Sequence, residues 1–279
     1  MRVHLCGVRG STPAPGAEFV RYGGHTSCVA ITLDGRVAPS LILDSGTGIR
    51  GVTALLGGHA FVGTILLTHL HWDHVQGLPF FVAGDREDSQ ARLLLPEQQD
   101  GADAVNVLAR AMSPPHFPMR PPDLRGAWSF QTLAPGEWHG EGLTVLAREV
   151  PHKGGRTFGF RVSDGRSTLT YIPDHCPTAL GDGPDGCGVY HEAALELTAG
   201  TDVLLHDAQL LPEELARDGC FGHASAEYPV ALARHAGVGR VLLFHHRPDR
   251  TDAELDELAA RFAGESSVGL ARQGEAFEL

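Results

Sequence analysis

The chain has 279 residues and a formal net charge of −12, which argues against a broad nucleic-acid surface because phosphate binding rests on clustered Lys and Arg. It has no run of 18 apolar residues, so no spanning helix and no membrane partner are expected. The first ten residues, MRVHLCGVRG, lack a long apolar segment, and the five Cys (Cys6, Cys28, Cys176, Cys187, Cys220) form no C-x-x-C pair, so reduced thiols in a cytoplasmic protein without a signal peptide are expected.

In chain order, Arg2–Val8, Cys28–Leu33 and Ser40–Leu43 read as short strands, with Asp34-Gly35 as a hairpin turn between the last two. Gly63–Thr68 is a buried-strand pattern that stops abruptly in polar residues. Gln90–Pro96 predicts a further strand and Asp100–Met112 a helix, while 113–122 is too rich in proline for either. Leu143–Val150, Ser167–Ile172, Thr201–Leu205 and Arg240–Phe244 read as strands. Ser225–Ala236 reads as a helix with Ser225 as N-cap and Gly237 just past its end. Thr251-Asp-Ala-Glu254 fits a capping box that opens a helix with Leu255, Leu258, Ala259 and Phe262 inward. Strands followed by helices in each half predict a layered α/β fold, and no linker or repeat divides the chain, so one domain over 1–279 is expected.

The question raised by 16 His is where they sit. Thr68-His-Leu-His-Trp-Asp-His74 places His69, His71, Asp73 and His74 directly after a buried strand. Imidazole nitrogen and carboxylate oxygen suit Zn²⁺ and similar divalent ions. In an extended segment His69 and His71 project to one side, and Asp73 and His74 can turn toward a second position, so one stretch can serve two adjacent metals. The later strands repeat the placement: they end at His152, Asp174, His206-Asp207 and His245-His246. Ligands of layered α/β folds gather at the carboxyl ends of strands.

With its H-x-H-x-D-H signature (His69, His71, Asp73, His74), the chain resembles the metallo-β-lactamase superfamily of binuclear metallohydrolases. The resemblance implies an αββα sandwich with the site at one edge between two sheets. It implies that His69, His71 and His152 hold one metal, Asp73, His74 and His245 the other, and that Asp174 bridges them. A narrower resemblance is to the ribonuclease Z-like and cyclic-phosphodiesterase branch. It rests on Gly10-Ser-Thr-Pro13, Tyr22-Gly-Gly-His-Thr-Ser27, Leu41-Ile-Leu-Asp-Ser-Gly46, the helix start Gly222-His223-Ala-Ser225, and His245 after the last core strand. A homodimer is a further implication.

Two divalent ions a few ångströms apart activate a shared water and clamp an in-line displacement. The expected cofactors are therefore two ions, Zn²⁺ first and Mn²⁺ as the alternative, with a metal-bridging hydroxide as nucleophile. A departing alkoxide needs a proton, and His223 at a helix start is the candidate donor, with Asp207 holding its other ring nitrogen; a purely capping His223 is the competing reading. Asp73, His223 and Asp207 are the expected catalytic groups. The favoured substrate is a small or cyclic phosphodiester. The alternatives are tRNA 3′-processing of the ribonuclease Z kind, and a lactone or thioester hydrolase. The net charge counts against tRNA, and the short stretch between His152 and Asp174 leaves no room for the long tRNA-gripping arm that the resemblance would put there.

Other residues are read more plainly. Asp44 is either an acceptor that orients the metal loop or a turn residue. His206 and His246 should face away from Asp207 and His245 by strand alternation. His175 is ambiguous. Trp72 is expected to pack, and Arg9, Lys153, His116 and Arg120 are expected on the surface.

Overall fold

The computed structural model describes all 279 residues. The strands in chain order are β1 (Arg2–Gly7), β2 (Cys28–Thr32), β3 (Leu41–Leu43), β4 (Val62–Leu66), β5 (Gln90–Pro96), β6 (Ala127–Leu133) and β7 (Gly136–Gly140). They continue as β8 (Leu143–Glu149), β9 (Phe158–Ser163), β10 (Thr168–Ile172), β11 (Val203–Asp207), β12 (Arg240–Phe244), β13 (Val268–Leu270) and β14 (Ala276–Glu278). The helices are α1 (Ile49–Leu55), α2 (Trp72–Val75), α3 (Ala104–Ala109), α4 (Glu192–Thr198), α5 (Leu215–Asp218), α6 (Glu227–Ala236) and α7 (Asp252–Arg261). No helix is long and apolar enough to cross a membrane.

Two seven-stranded mixed sheets form, ordered β14-β1-β2-β3-β4-β5-β6 and β13-β12-β11-β10-β9-β8-β7. Strand alternation decides what lies between them. Val3 and Leu5, Val29 and Ile31, and Leu41 and Leu43 of the first sheet meet Val145 and Ala147, Phe158 and Phe160, Leu205, and Leu242 and Phe244 of the second in one buried core. The opposite faces turn outward. Ala30, Ile42, Ile65 and Leu93 lie under Ile49 and Val52 of α1 and Val107 and Leu108 of α3. Leu204, Val241 and Leu243 lie under Leu197 of α4, Val230 and Ala233 of α6, and Leu255 and Leu258 of α7. The result is the helix–sheet–sheet–helix sandwich expected from the sequence.

The sheets also align the strand ends that matter. β10, β11 and β12 are mutually parallel, and β8 runs the same way because it is antiparallel to β9, which is antiparallel to β10. Their carboxyl ends therefore share one edge of the second sheet. The end of β4 in the first sheet reaches the same edge, where the Phe158 amide donates to the Thr68 carbonyl (2.8 Å).

Several local expectations change. The helix read over 100–112 is only Ala104–Ala109, because its cap is Asp103, whose side chain accepts from the Asn106 amide. Ser225 is not a cap: α6 begins after Ala226, and the Ser225 hydroxyl is buried without a partner. Gly237 does close α6 in the left-handed region, at φ +69°. The capping box at Thr251 forms with both reciprocal bonds. Strands β6, β7, β9, β13 and β14 were not among the predicted elements. All five cysteines are free thiols.

Candidate metal centre

The loop after β4 carries His69 and His71 in extended chain, and α2 then turns Asp73 and His74 away from them. The change from strand-like to helical backbone within six residues splits the motif in two. His69 and His71 converge with His152 and Asp174, and Asp73 and His74 converge with His245, each set with its ligand atoms within 4.8 Å of one another. His152 lies two residues after Val150, which follows β8, and Asp174 two residues after Ile172, the last residue of β10. All seven predicted metal ligands thus meet at one edge of the sandwich.

Asp174 stands between the two sets. Its Oδ1 lies 3.8 Å from His69 Nε2 and 3.4 Å from His152 Nε2. Its Oδ2 lies 2.9 Å from His74 Nε2 and 3.3 Å from His245 Nε2. Within the sets, His152 Nε2 is 3.2 Å from His71 Nδ1, and His245 Nε2 is 3.0 Å from Asp73 Oδ2 and 3.3 Å from His74 Nε2.

The far side of four of the five rings, all but His71, is tied to the protein, which fixes the nitrogen left to face inward. His74 Nδ1 donates to Asp44 Oδ2 (2.8 Å). His69 Nδ1 lies 3.0 Å from the Thr68 hydroxyl, which in turn donates to Asp44 (2.9 Å). His152 Nδ1 donates to the Gly222 carbonyl (2.6 Å), at a glycine held at φ +90°. The Gln209 amide sits 3.1 Å from His245 Nδ1 and also bonds the Ser11 hydroxyl. The Ser11 amide donates to Asp73 Oδ2 (2.7 Å). Asp44 also accepts from the Thr68 amide (2.7 Å) and from the Tyr171 hydroxyl (2.9 Å), four donors in all. Of the four non-glycine residues with positive φ, Ser11 (61°), Asp44 (60°) and His245 (59°) all belong to this network; the fourth is Glu141. Such backbone costs on the order of 1–3 kcal/mol each, and the surrounding fold must hold it.

This donor set fits divalent ions on its own chemistry. Five imidazoles and two carboxylates converge in a buried space with no Lys or Arg among them. Imidazole nitrogens 3.2–3.3 Å apart share one proton as N–H···N in the absence of a cation, and a divalent ion between them would take the proton's place. His69 Nε2 and Asp174 Oδ2 are buried without an aligned hydrogen bond, which is costly unless something else is bound there. Burial and the charge of neighbouring His74 hold His69 well below the usual histidine range, whereas for His74 burial is outweighed by Asp73, Asp174 and Asp44, which push it well above, a place where a bound cation would replace the proton.

His223 and Asp207 form a second unit beside the first. His223 Nδ1 donates to Asp207 Oδ2 (3.0 Å), and its ring lines the same cavity as Ser11, His71, Asp73 and Asp174, a space of about 450 Å³. Asp207 is itself fixed by the backbone amides of His175, Gln209 and Ala224 at 3.0–3.2 Å. Burial works against a charged His223, but Asp207, together with Asp174 and Asp73, outweighs it and pushes the pKa up to about 9. His223 precedes α6 by four residues, so its role is not that of a helix cap.

Strand alternation holds for the remaining histidines. His206 points to the helix side, 3.1 Å from His175 Nδ1, and His246 bonds the Ala271 carbonyl. Asp44 is the orienting acceptor rather than a simple turn residue. His116, Arg120 and Lys153 are exposed, as expected. Two readings fail. Arg9 is fully buried and donates to the carbonyls of Gly23, Arg247 and Arg250, clamping the loop after His245. Trp72 does not pack; it is 74% exposed. Ser11, Gln209 and Tyr171 were missed: no spacing rule pairs positions this far apart.

Residues 41–246 match the model of the "Beta-lactamase superfamily domain" family. A ribonuclease Z from Mycobacterium sp. (strain KMS) is 26% identical over 277 residues, covering 90% of this chain and 87% of that one. Among solved structures, the metallo-beta-lactamase fold protein YhfI from Bacillus subtilis aligns with a TM-score of 0.71 at 15% identity, covering 99% of both chains. Zn²⁺-bound PqqB from Methylobacterium extorquens aligns at 0.68 and 21% identity over the full length of both.

Proposed function

The chain belongs to the metallo-β-lactamase superfamily, and from that premise we propose that it is a metal-dependent hydrolase of small or cyclic phosphodiesters. The observation that carries the reading is the arrangement of Asp174 between two ligand sets with the His223–Asp207 pair facing the same cavity. His69, His71 and His152 would hold one ion, Asp73, His74 and His245 the other, and Asp174 both; Zn²⁺ suits this set best, and Mn²⁺ is the alternative. When bound, such a pair supplies an activated water and neutralises charge that develops on phosphorus. The chain's own residues do the rest. Asp174, held between the two sets, keeps them at a fixed spacing. Asp207 takes the Nδ1–H of His223, which leaves Nε2 toward the cavity, and its charge favours the protonated ring. His223 gives that proton to the departing ester oxygen. The five free thiols support a reducing, cytoplasmic setting.

Cleavage of precursor tRNA is the second reading, and the ribonuclease Z relatives favour it. Three features favour the small substrate. The net charge is −12. The stretch 153–173 is spent on β9 and β10. The stretch 97–126 folds back, with Ala104, Val107, Leu108, Met112 and Leu124 in the core against the first sheet. The test is parallel turnover of the metal-loaded protein on bis-p-nitrophenyl phosphate, cyclic nucleotides and a tRNA precursor at physiological salt. Turnover is expected on the small diesters with little site-specific cleavage of the precursor. Efficient cleavage at one site in the precursor, with weak diester turnover, would reverse the ranking.

A further inference from the structure

The Arg9 side chain is 0% exposed, and its guanidinium hydrogen-bonds no carboxylate. Nε donates to the Gly23 carbonyl (2.9 Å), and Nη1 to the carbonyls of Arg247 (2.9 Å) and Arg250 (2.7 Å). Nη2 is buried without a partner. The guanidinium carbon lies over the Phe19 ring at 5.1 Å from its centroid. A buried charge held only by neutral carbonyls costs stability, and what this one fixes lies at the metal centre.

The carbonyls belong to two segments beside that centre. Gly23 shortly precedes Thr26, which pairs with Arg9 in a single β-bridge. Arg247 and Arg250 lie in the loop that follows His245. The backbone around Arg9 is tied to the same loop: the Gly10 amide donates to the His246 carbonyl (2.9 Å), and the His246 amide to the Val8 carbonyl (2.9 Å). Side chain and backbone thus hold residues 8–11 against 245–250 twice over.

The next two residues touch ligands. A Cβ on Gly10 would lie 2.5 Å from His245 Nδ1, so only glycine lets the chain pass this close to the ring. The Ser11 amide donates to Asp73 Oδ2 (2.7 Å). Both contacts fall on the set of Asp73, His74 and His245. In the other set, His69 is secured by Thr68 and His152 by Gly222. Ser11 and His245 both sit at positive φ, a backbone that persists only where its surroundings hold it.

We infer that Arg9 is a positioning residue for one of the two metal positions: its guanidinium holds together the segments that place His245 and Ser11, and so sets the affinity of the Asp73, His74 and His245 set. The inference rests on the two-ion reading above and adds to it a residue that touches no ion. Lysine replaces it only in part, because an ammonium is a compact point donor, whereas the planar fork reaches carbonyls of separate segments.

The test is competition between the full chain and a chromophoric chelator for Zn²⁺, which reads the affinity of each ion, with a thermal melt on the same samples. Arg9→Lys is expected to weaken one ion about 10- to 100-fold, the usual cost of losing support behind a ligand, and to leave the other at its wild-type affinity. Added to Asp73→Ala, where the supported position is already lost, Arg9→Lys should not change the remaining ion. Gly10→Ala should reproduce the selective loss by displacing the His245 ring directly. A lower melting temperature with both affinities unchanged, or equal weakening of both ions, would overturn the inference and leave Arg9 a residue of the fold alone. So would an Arg9→Lys chain that does not fold together with a Gly10→Ala chain that keeps both ions. A wild type that holds one ion would sink the two-ion reading by itself. The role of Arg9 would then stand if Arg9→Lys and Asp73→Ala both weaken that ion, and fall if only Asp73→Ala does.

Discussion

His223→Ala is expected to keep its metal and lose about 10²–10⁴-fold in turnover on a diester with an alkyl leaving group, the usual cost of removing a general acid. An alkoxide is too basic to depart unprotonated, whereas p-nitrophenolate is stable without a proton, so the loss should shrink on bis-p-nitrophenyl phosphate. The structure supports the selectivity of this effect. His223 gives its Nδ1 to Asp207, and that nitrogen lies 3.7 Å from Asp174 Oδ1; because a His223 nitrogen also lies within 4.8 Å of ligand atoms of Asp174 and His245, metal content is read alongside turnover. Asp207→Ala should show the same dependence on leaving group with a smaller loss, because the carboxylate only orients His223 and raises its pKa. It also frees three backbone amides, so a thermal melt must accompany the kinetics. Equal losses on both leaving groups would assign His223 to substrate binding or to the fold.

The second large effect concerns metal content. Asp73→Ala removes one carboxylate from the set with His74 and His245, and it also frees the Ser11 amide. The other set does not include Asp73, so the variant should hold close to one ion per chain instead of two. Asp174→Ala should be more severe, because each carboxylate oxygen faces a different set. Both ions should weaken together, and activity should not return at metal concentrations that restore Asp73→Ala. Elemental analysis after gel filtration decides this. Two tightly held ions in Asp73→Ala with full activity would remove Asp73 from the ligand set, and retention of one tight ion in Asp174→Ala would remove its bridging role.

The sequence showed the centre more fully than its surroundings, for a physical reason. Ligands sit at strand ends, where a run such as Leu41–Leu43 or 63–66 is buried on both faces and its end is abrupt. Their chemistry is unusual enough to stand out even singly, as with Asp174. The missed strands lack that contrast. β6 and β7 lie at sheet edges and are largely exposed, with patterns that mix polar and aromatic residues. β9, Phe-Gly-Phe-Arg-Val-Ser, follows a Gly-Gly pair and contains a glycine, so its local signal reads as a turn. The orienting network was illegible for a different reason. Tyr171 reaches Asp44 across the space between the sheets, and Gln209 joins Ser11 to His245. These contacts exist only once both sheets have packed. Arg9 reads as surface because an unpaired guanidinium seldom goes inside; three carbonyls from loops far apart in sequence are what admit it. Trp72 reads as core by residue type alone, but the buried positions of α2 are taken by Asp73 and His74, and the indole is left exposed.

The most direct test of the account reads metal content and diester turnover on the same samples, first as purified without chelator, then after chelation, then after reconstitution with Zn²⁺ or Mn²⁺. The account expects two divalent ions per chain, turnover of bis-p-nitrophenyl phosphate that vanishes with the ions, and recovery of both together. A chain that carries two ions and turns over no phosphodiester, or one whose turnover is indifferent to chelation, would contradict it.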